Sequence, residues 1–304
     1  MKKLYRKINE LWVRYKKWGE SSIVGDFTVN TGRIVFIITI FFLIFYAFSL
    51  LDSSNNSPEE SSISDSGSTT NDNCSVTGIN LHGMIVTYIP LHSESDTFFN
   101  YDSVASENVI GAIKEANKDS KIKAIVVEVD SSGGFPVAGE EISDAIKNSE
   151  KPIVGLIRET GASAAYWAIS SADKIFASKN SDVGSIGVTM SYLSNVEKNK
   201  KDGYTFEQVS IGKYKDSGSP DKPLTSEEKA LFLRDSNIIY ENFVKAVSQN
   251  RNIPINEVKG FADGSTVLGE KAKSLGLIDE IGGINEVEKY LEEIIGEKPE
   301  ICWQ

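Results

Sequence analysis

From residue 76 almost to the end of the chain, short apolar runs alternate with segments whose apolar residues recur at helical spacing. VTGINLHGMIVTYI reads as a strand and turn, VIGAIKEANKD as a helix, and IKAIVVEVD as a buried strand. After the glycine pair of DSSGG come a helix over VAGEEISDAIKN, a strand over KPIVGLIRE, a helix over GASAAYWAISSA and a strand over DKIFAS. Such alternation predicts an α/β fold with a mostly parallel sheet, because parallel neighbours need a crossover and the crossovers are helical. The near-continuous AIVVEV suits a strand covered on both faces. A long helix follows PDKPL, and Thr225 with Glu228 forms a capping-box signature at its start. There is no internal repeat.

A different pattern precedes this region. Residues 34–51, IVFIITIFFLIFYAFSLL, carry no charge. As a helix they would span roughly 27 Å, close to the ~30 Å hydrocarbon core of a bilayer. The run exceeds a usual signal-peptide core and no Ala-x-Ala site follows, so an uncleaved transmembrane anchor is predicted. Eight basic residues from Lys2 to Arg33 precede it, while Asp52, Glu59, Glu60 and Asp65 follow. The positive-inside rule then makes residues 1–33 a cytoplasmic segment of a single-pass membrane protein and puts the rest outside. Trp12, Tyr15 and Trp18 would suit an interfacial helix, and equally a solvated tail. Residues 52–73 are rich in Ser, Asn and acids and read as a flexible tether. The folded domain is residues 74–304. Its ends are marked by the chain's 2 cysteines, Cys74 and Cys302. Outside the cytoplasm they are a candidate disulfide, with two free thiols as the alternative.

A net charge of -11 argues against nucleic acid as a partner. Without a Cys-x-x-Cys pair, a metal-ligand cluster or a Walker-type loop, no metal and no cofactor are expected. The 2 histidines, His82 and His92, weigh by their scarcity against a Ser-His-Asp enzyme and read as strand-end residues. Glu128 and Asp130 share one side of a strand, as a carboxylate pair might, although Asp130 reads more simply as closing that strand. Glu140 and Glu141 read as an exposed helix face. In parallel sheets active groups gather at the carboxyl ends of strands. At one such end, Ser163 heads a helix, where unpaired backbone N–H groups and a partial positive charge could hold an oxyanion. The same position would also suit a simple N-cap.

The stretch RETGASAAYWAISSADKIFASKNSDVGSIGV resembles the nucleophile region of the bacterial and archaeal signal peptide peptidase family, serine proteases of the crotonase/Clp superfamily. The resemblance extends upstream to DSSGG and downstream through IGKYKDSGSP, TSEEKALFLRDSNIIYENFVKAVSQNR and FADGSTVLGEKAKSLGLIDEIGG, covering residues 76–290 in order. It implies a crotonase/Clp-like spiral core with a C-terminal helical extension. It also implies hydrolysis of signal-peptide remnants and other hydrophobic peptides through an acyl-enzyme on a Ser-Lys dyad. On the matching positions Ser163 is the nucleophile, Lys215 the general base and Ser185 the residue that orients the lysine. The backbone N–H groups of Ala164 and of a glycine in the Gly133–Gly134 pair would form the oxyanion hole. Short members of the family assemble into rings in which one protomer's serine meets a neighbour's lysine, which implies a homo-oligomer with shared sites.

The residue types suit that chemistry. A serine hydroxyl needs a base to take its proton. A lysine can serve only if its pKa falls from ~10.4 towards 7 or 8 in an apolar setting. The Asp216 carboxylate is therefore expected to point away from Lys215. In an extended segment Lys213 and Lys215 share a face, so only the resemblance chooses Lys215. Two positions depart from the family pattern: Ala164-Ala165 stands where Gly-Gly is usual, and Ser132 where proline is. Three other readings stay open: an inactive membrane-tethered ring scaffold, a stomatin-cleaving protease of the same superfamily, and an acyl-CoA enzyme of crotonase type, which the acidic balance disfavours.

Overall fold

The computed structural model describes residues 73–89 and 102–304. The expected cytoplasmic segment, the expected span, residues 52–72 of the tether and His92 lie outside the described residues. Among the described residues no helix is long and apolar enough to cross a membrane.

The first half of the domain runs β1 (Val76–Val86), β2 (Ser103–Ala105), α1 (Ser106–Lys118), β3 (Ala124–Gly134), α2 (Pro136–Lys147), β4 (Ile153–Ala162), α3 (Ala164–Ile169), β5 (Lys174–Ala177) and β6 (Asp182–Gly184). The second half runs α4 (Val196–Lys201), α5 (Ser226–Arg251), α6 (Ile255–Phe261), β7 (Thr266–Leu268), α7 (Gly269–Ser274), β8 (Glu280–Ile281), α8 (Ile284–Ile295) and β9 (Ile301–Trp303). The strands form one sheet in the order β2-β1-β3-β4-β5-β8, with β6 beside both β4 and β7, and β9 beside β1. Only the β6–β7 ladder is antiparallel. The fold is thus a mixed α/β fold built on parallel crossovers.

Both faces of the central strands are covered, which explains their continuous apolar runs. On one face Leu81, Ile125, Val127, Val129 and Ile157 pack with residues of α1, α2, α3 and α5. On the other face Val76, Ala124, Val126, Val154 and Leu156 pack under Val287 and Leu291 of α8. Beyond the reach of α8, the same-face positions of β3 and β4 become Glu128, Asp130 and Arg158. The period-2 alternation thus records where the covering helix stops.

Three elements differ from expectation. β3 does not close at Asp130 but continues to Gly134, because Thr160 N donates to Asp130 Oδ1 (3.2 Å) and keeps β4 alongside. α3 ends at Ile169, three residues before the apolar pattern does. There the Ser170 and Ser171 hydroxyls donate to the carbonyls of Trp167 and Ala168, side-chain bonds that compete with helix propagation. The C-terminal extension is not wholly helical: β9 pairs parallel with β1, placing Cys302 opposite Thr77 and Trp303 opposite Gly78.

Cys74 and Cys302 form a disulfide with their Cα atoms 5.9 Å apart. Beside it the Trp303 ring lies over Gly78, where even a Cβ would come within 2.4 Å of the indole. The disulfide closes a loop of 228 residues, for which chain entropy gives an upper stabilisation of about 5 kcal/mol. Cys302→Ser is expected to destabilise the domain by about 2–5 kcal/mol, and reductant to do the same to the wild type but nothing further to the variant. Denaturant titrations of both proteins, with and without reductant, measure this.

Candidate active site

Ser163 sits between β4 and α3 with φ 54° and ψ -126°, a left-handed conformation rare outside glycine. Holding a serine there costs on the order of 1–3 kcal/mol, which neighbouring bonds must offset. Its N–H donates to Gly184 O (2.8 Å) and its carbonyl accepts from Trp167 N (2.9 Å). The Trp167 ring stacks on Phe243 of α5 at 4.9 Å, and Tyr166, fully buried, donates its hydroxyl to Leu277 O (2.8 Å). Burial pushes the Tyr166 phenol well above its ordinary pKa, so it remains a donor. Ser163 does not cap the helix: its side chain makes no capping hydrogen bond. The turn instead places Ser163 directly before the Ala164 N–H, which, at the first helical position, has no acceptor within its own helix.

Gly133 completes this corner. It has φ +110°, and a Cβ on it would stand 2.8 Å from Ser163 Cβ and 3.0 Å from Ala164 N. The missing side chain therefore leaves the space that an oxyanion would need next to that donor. Gly133 N–H is itself engaged by Ser131 Oγ (3.0 Å). Phe135 N donates to Ile85 O (2.9 Å), and a Cβ on Gly134 would stand 2.0 Å from that same oxygen, so this end of β3 lies hard against β1. Of the glycine pair, Gly134 is thus the candidate second donor. The Ala164 methyl is accommodated because α2 presents Gly139 opposite it, where a Cβ would lie 3.1 Å from that methyl and 2.7 Å from Ala164 O.

Ser185 is one residue beyond the carbonyl that holds Ser163, and it too has positive φ, at 50°. Its N–H donates to Ser265 O (3.0 Å) and its hydroxyl to Gly264 O (2.9 Å). With its proton committed, the Ser185 oxygen keeps lone pairs free to accept from an amine.

Lys215 is exposed, in the turns of residues 211–218. Among the described residues its amine makes no hydrogen bond or ion pair, to Ser163, Ser185 or Asp216 alike. Lys213 is distinguishable after all: it pairs with Glu227 (2.7 Å) and lies over the Tyr214 ring, and the Glu227 hydrogen bond raises its pKa, the wrong direction for a base. The base of this loop is bolted down by a pair that sequence reasoning missed. Glu228, 3% exposed, accepts from Lys222 Nζ (2.6 Å), Thr225 N (2.9 Å) and Thr225 Oγ1 (3.0 Å). The capping-box spacing pointed to Thr225, but nothing in the spacing pointed to Lys222. The remaining candidates are engaged elsewhere. Glu128 pairs with Arg158 (2.8 Å) and lies 3.2 Å from His82 within β1, and Glu141 accepts from Ser106 Oγ (2.5 Å).

Comparisons with known proteins bear on this corner. The family model of peptidase family S49 matches residues 145–296, which include Ser163, Ser185 and Lys215. A protein of Methanocaldococcus jannaschii named as a protease is 35% identical over 69% of this chain and 68% of its own length. A protein of Enterococcus faecium named as the signal peptide peptidase SppA is 33% identical over 60% of this chain and 54% of its own. Protease 4 of Haemophilus influenzae is 28% identical over 74% of this chain, which spans only 36% of that longer protein. A solved ClpP1 variant from Listeria monocytogenes aligns with a TM-score of 0.43 at 16% identity, over 68% of this chain and 91% of its own.

Two outcomes follow from the geometry. Gly133→Ala is expected to fill the space beside Ala164 N and lower peptide turnover at least about 100-fold, the scale of a lost oxyanion contact. Circular dichroism would separate this from unfolding. The Lys222 and Thr225 bonds hold the Glu228 pKa down from 4.5 to about 2. Their stabilisation is therefore complete above pH 4.5 and is lost as pH falls from there through about 2. Melting temperatures across this window should fall less steeply for Glu228→Gln than for the wild type.

Proposed function

This chain is a member of peptidase family S49, a family of serine-type peptidases, and on that premise we propose a membrane-anchored endopeptidase that cleaves signal-peptide remnants and other hydrophobic peptides. The observation that carries the mechanism is the Ser163 corner: an uncapped serine on a strained strand-to-helix turn, beside a first-turn N–H and a space kept open by Gly133. Ser163 Oγ would attack the peptide carbonyl while a neutral lysine amine takes its proton. Ala164 N–H and Gly134 N–H would hold the oxyanion. The lysine proton would then pass to the leaving amine, giving an acyl-serine that water hydrolyses by the reverse proton path. Ser185 would orient the lysine through its oxygen. Anchoring rests on the uncharged run at residues 34–51.

Lys215 is the proposed base, supplied to Ser163 by a neighbouring copy in a ring. Its loop supports this, because Val209 and Ile211 are 95% and 99% exposed and Tyr204 and Leu193 are also bare. Such a concentration of apolar side chains marks an association surface. Docking there would withdraw an amine from water, which favours the neutral form a base needs.

Ser163→Ala and Lys215→Ala are each expected to lower hydrolysis of an apolar fluorogenic peptide at least about 1,000-fold. Co-expressed, the two inactive chains should recover part of the activity, since a Lys215→Ala copy still offers Ser163 to a neighbour's Lys215. Full silence of the co-assembled pair would reject the shared site, and activity in Ser163→Ala alone would reject the nucleophile.

A further inference from the structure

We infer that Ser131 is a positioning residue that sets the oxyanion hole, an inference resting on the reading of Ser163 as nucleophile. Ser131 is 2% exposed and lies where the sheet loses its register. The β1–β3 ladder shifts between His82 and Met84, and the β3–β4 ladder shifts between Val129 and Ser131. Its hydroxyl donates to Gly83 O (2.5 Å) and accepts from Gly133 N (3.0 Å). One oxygen thus ties two glycines in left-handed conformations, Gly83 at φ +73° and Gly133 at φ +110°.

The bond does two things. It gives the buried Gly133 N–H an acceptor at a point where the shifted ladder leaves it without one, so that donor does not turn into the site. It also fixes the Ser132–Gly133 peptide, and with it the Gly133 φ that sets the following peptide, which carries the Gly134 N–H. Without the hydroxyl, Gly133 N–H is buried and unpaired, a cost that rotation of the Ser132–Gly133 peptide relieves. That rotation changes the Gly133 φ and swings the next peptide, taking the Gly134 donor out of line with the oxyanion, which exists only after attack. Ser131 therefore acts on the transition state and leaves peptide binding nearly untouched.

The test uses the full-length chain in detergent, with Ser131→Ala, Ser131→Cys, Ser131→Thr and Ser163→Ala. Measurements are kcat and KM on an apolar fluorogenic peptide, and inhibition by a peptide boronate that forms a tetrahedral adduct on serine. The alanine and cysteine variants should lose about 10- to 100-fold in kcat, part of the value of one oxyanion donor. Boronate affinity should weaken by the same factor while KM stays within about threefold, and the threonine variant, which keeps the hydroxyl, should recover most of the loss. Cysteine preserves the packing if alanine fails to fold. A kcat within twofold of wild type in the cysteine variant overturns the inference, as does an equal loss in the threonine variant. Residual turnover in Ser163→Ala overturns the nucleophile instead, so the two failures are distinguishable.

Discussion

The site depends on an approach between two strand ends closer than any side chain permits. Gly133 of β3 comes against Ser163 at the end of β4, and the volume a methyl would occupy is the volume beside the Ala164 amide. Around that approach stand four backbone positions at positive φ: Gly133, Ser163, Gly184 and Ser185. The conformation is unfavourable for the two serines, and Ser163, Ser185 and Gly133 are each held by a hydrogen bond. Ser163 N leans on Gly184 O, Ser185 Oγ on Gly264 O, and Gly133 N on Ser131 Oγ. Trp167 of α3, whose N–H holds the Ser163 carbonyl, is buried and stacks on Phe243.

Much of this was legible in the residues. The apolar runs located β1, β3, β4 and β5, and Thr225 with Glu228 located the start of α5. The resemblance chose Ser163, and the local reading of Ser163 as head of a helix agreed with it. Spacing could not show that Ser163 would take a glycine-like conformation, since φ depends on the Gly184 and Trp167 bonds formed across the fold. Nor could spacing reveal β9. Its three residues carry a signal only once Cys302 is placed by the disulfide and Trp303 finds the bare Gly78. Ser131 and Lys222 were invisible for a similar reason: each matters through partners remote in sequence or in an irregular loop.

The substitution of Ala164-Ala165 for two glycines shows how a departure from a family pattern is absorbed. An oxyanion donor needs only an amide in helical conformation, and Ala164 has one. The Ala164 methyl meets Gly139 on α2, where there is no side chain to oppose it, and the helices still meet closely. The departure therefore gives no ground for reading the chain as an inactive scaffold.

The disulfide has a mechanical meaning as well as a thermodynamic one. Any pull on the chain ahead of Cys74 reaches the covalent link to Cys302 before it reaches β1, and the load divides between β1 and β9. β1 is the strand whose Gly83 carbonyl and Ile85 backbone steady the Gly133–Gly134 corner. A tug along the leading segment is thus shunted into the C-terminus at the far end of β1, and the strand cannot be peeled away alone. The clasp works as strain relief at a cable entry, insulating the Gly133–Ser163 corner from whatever moves the chain in front of it.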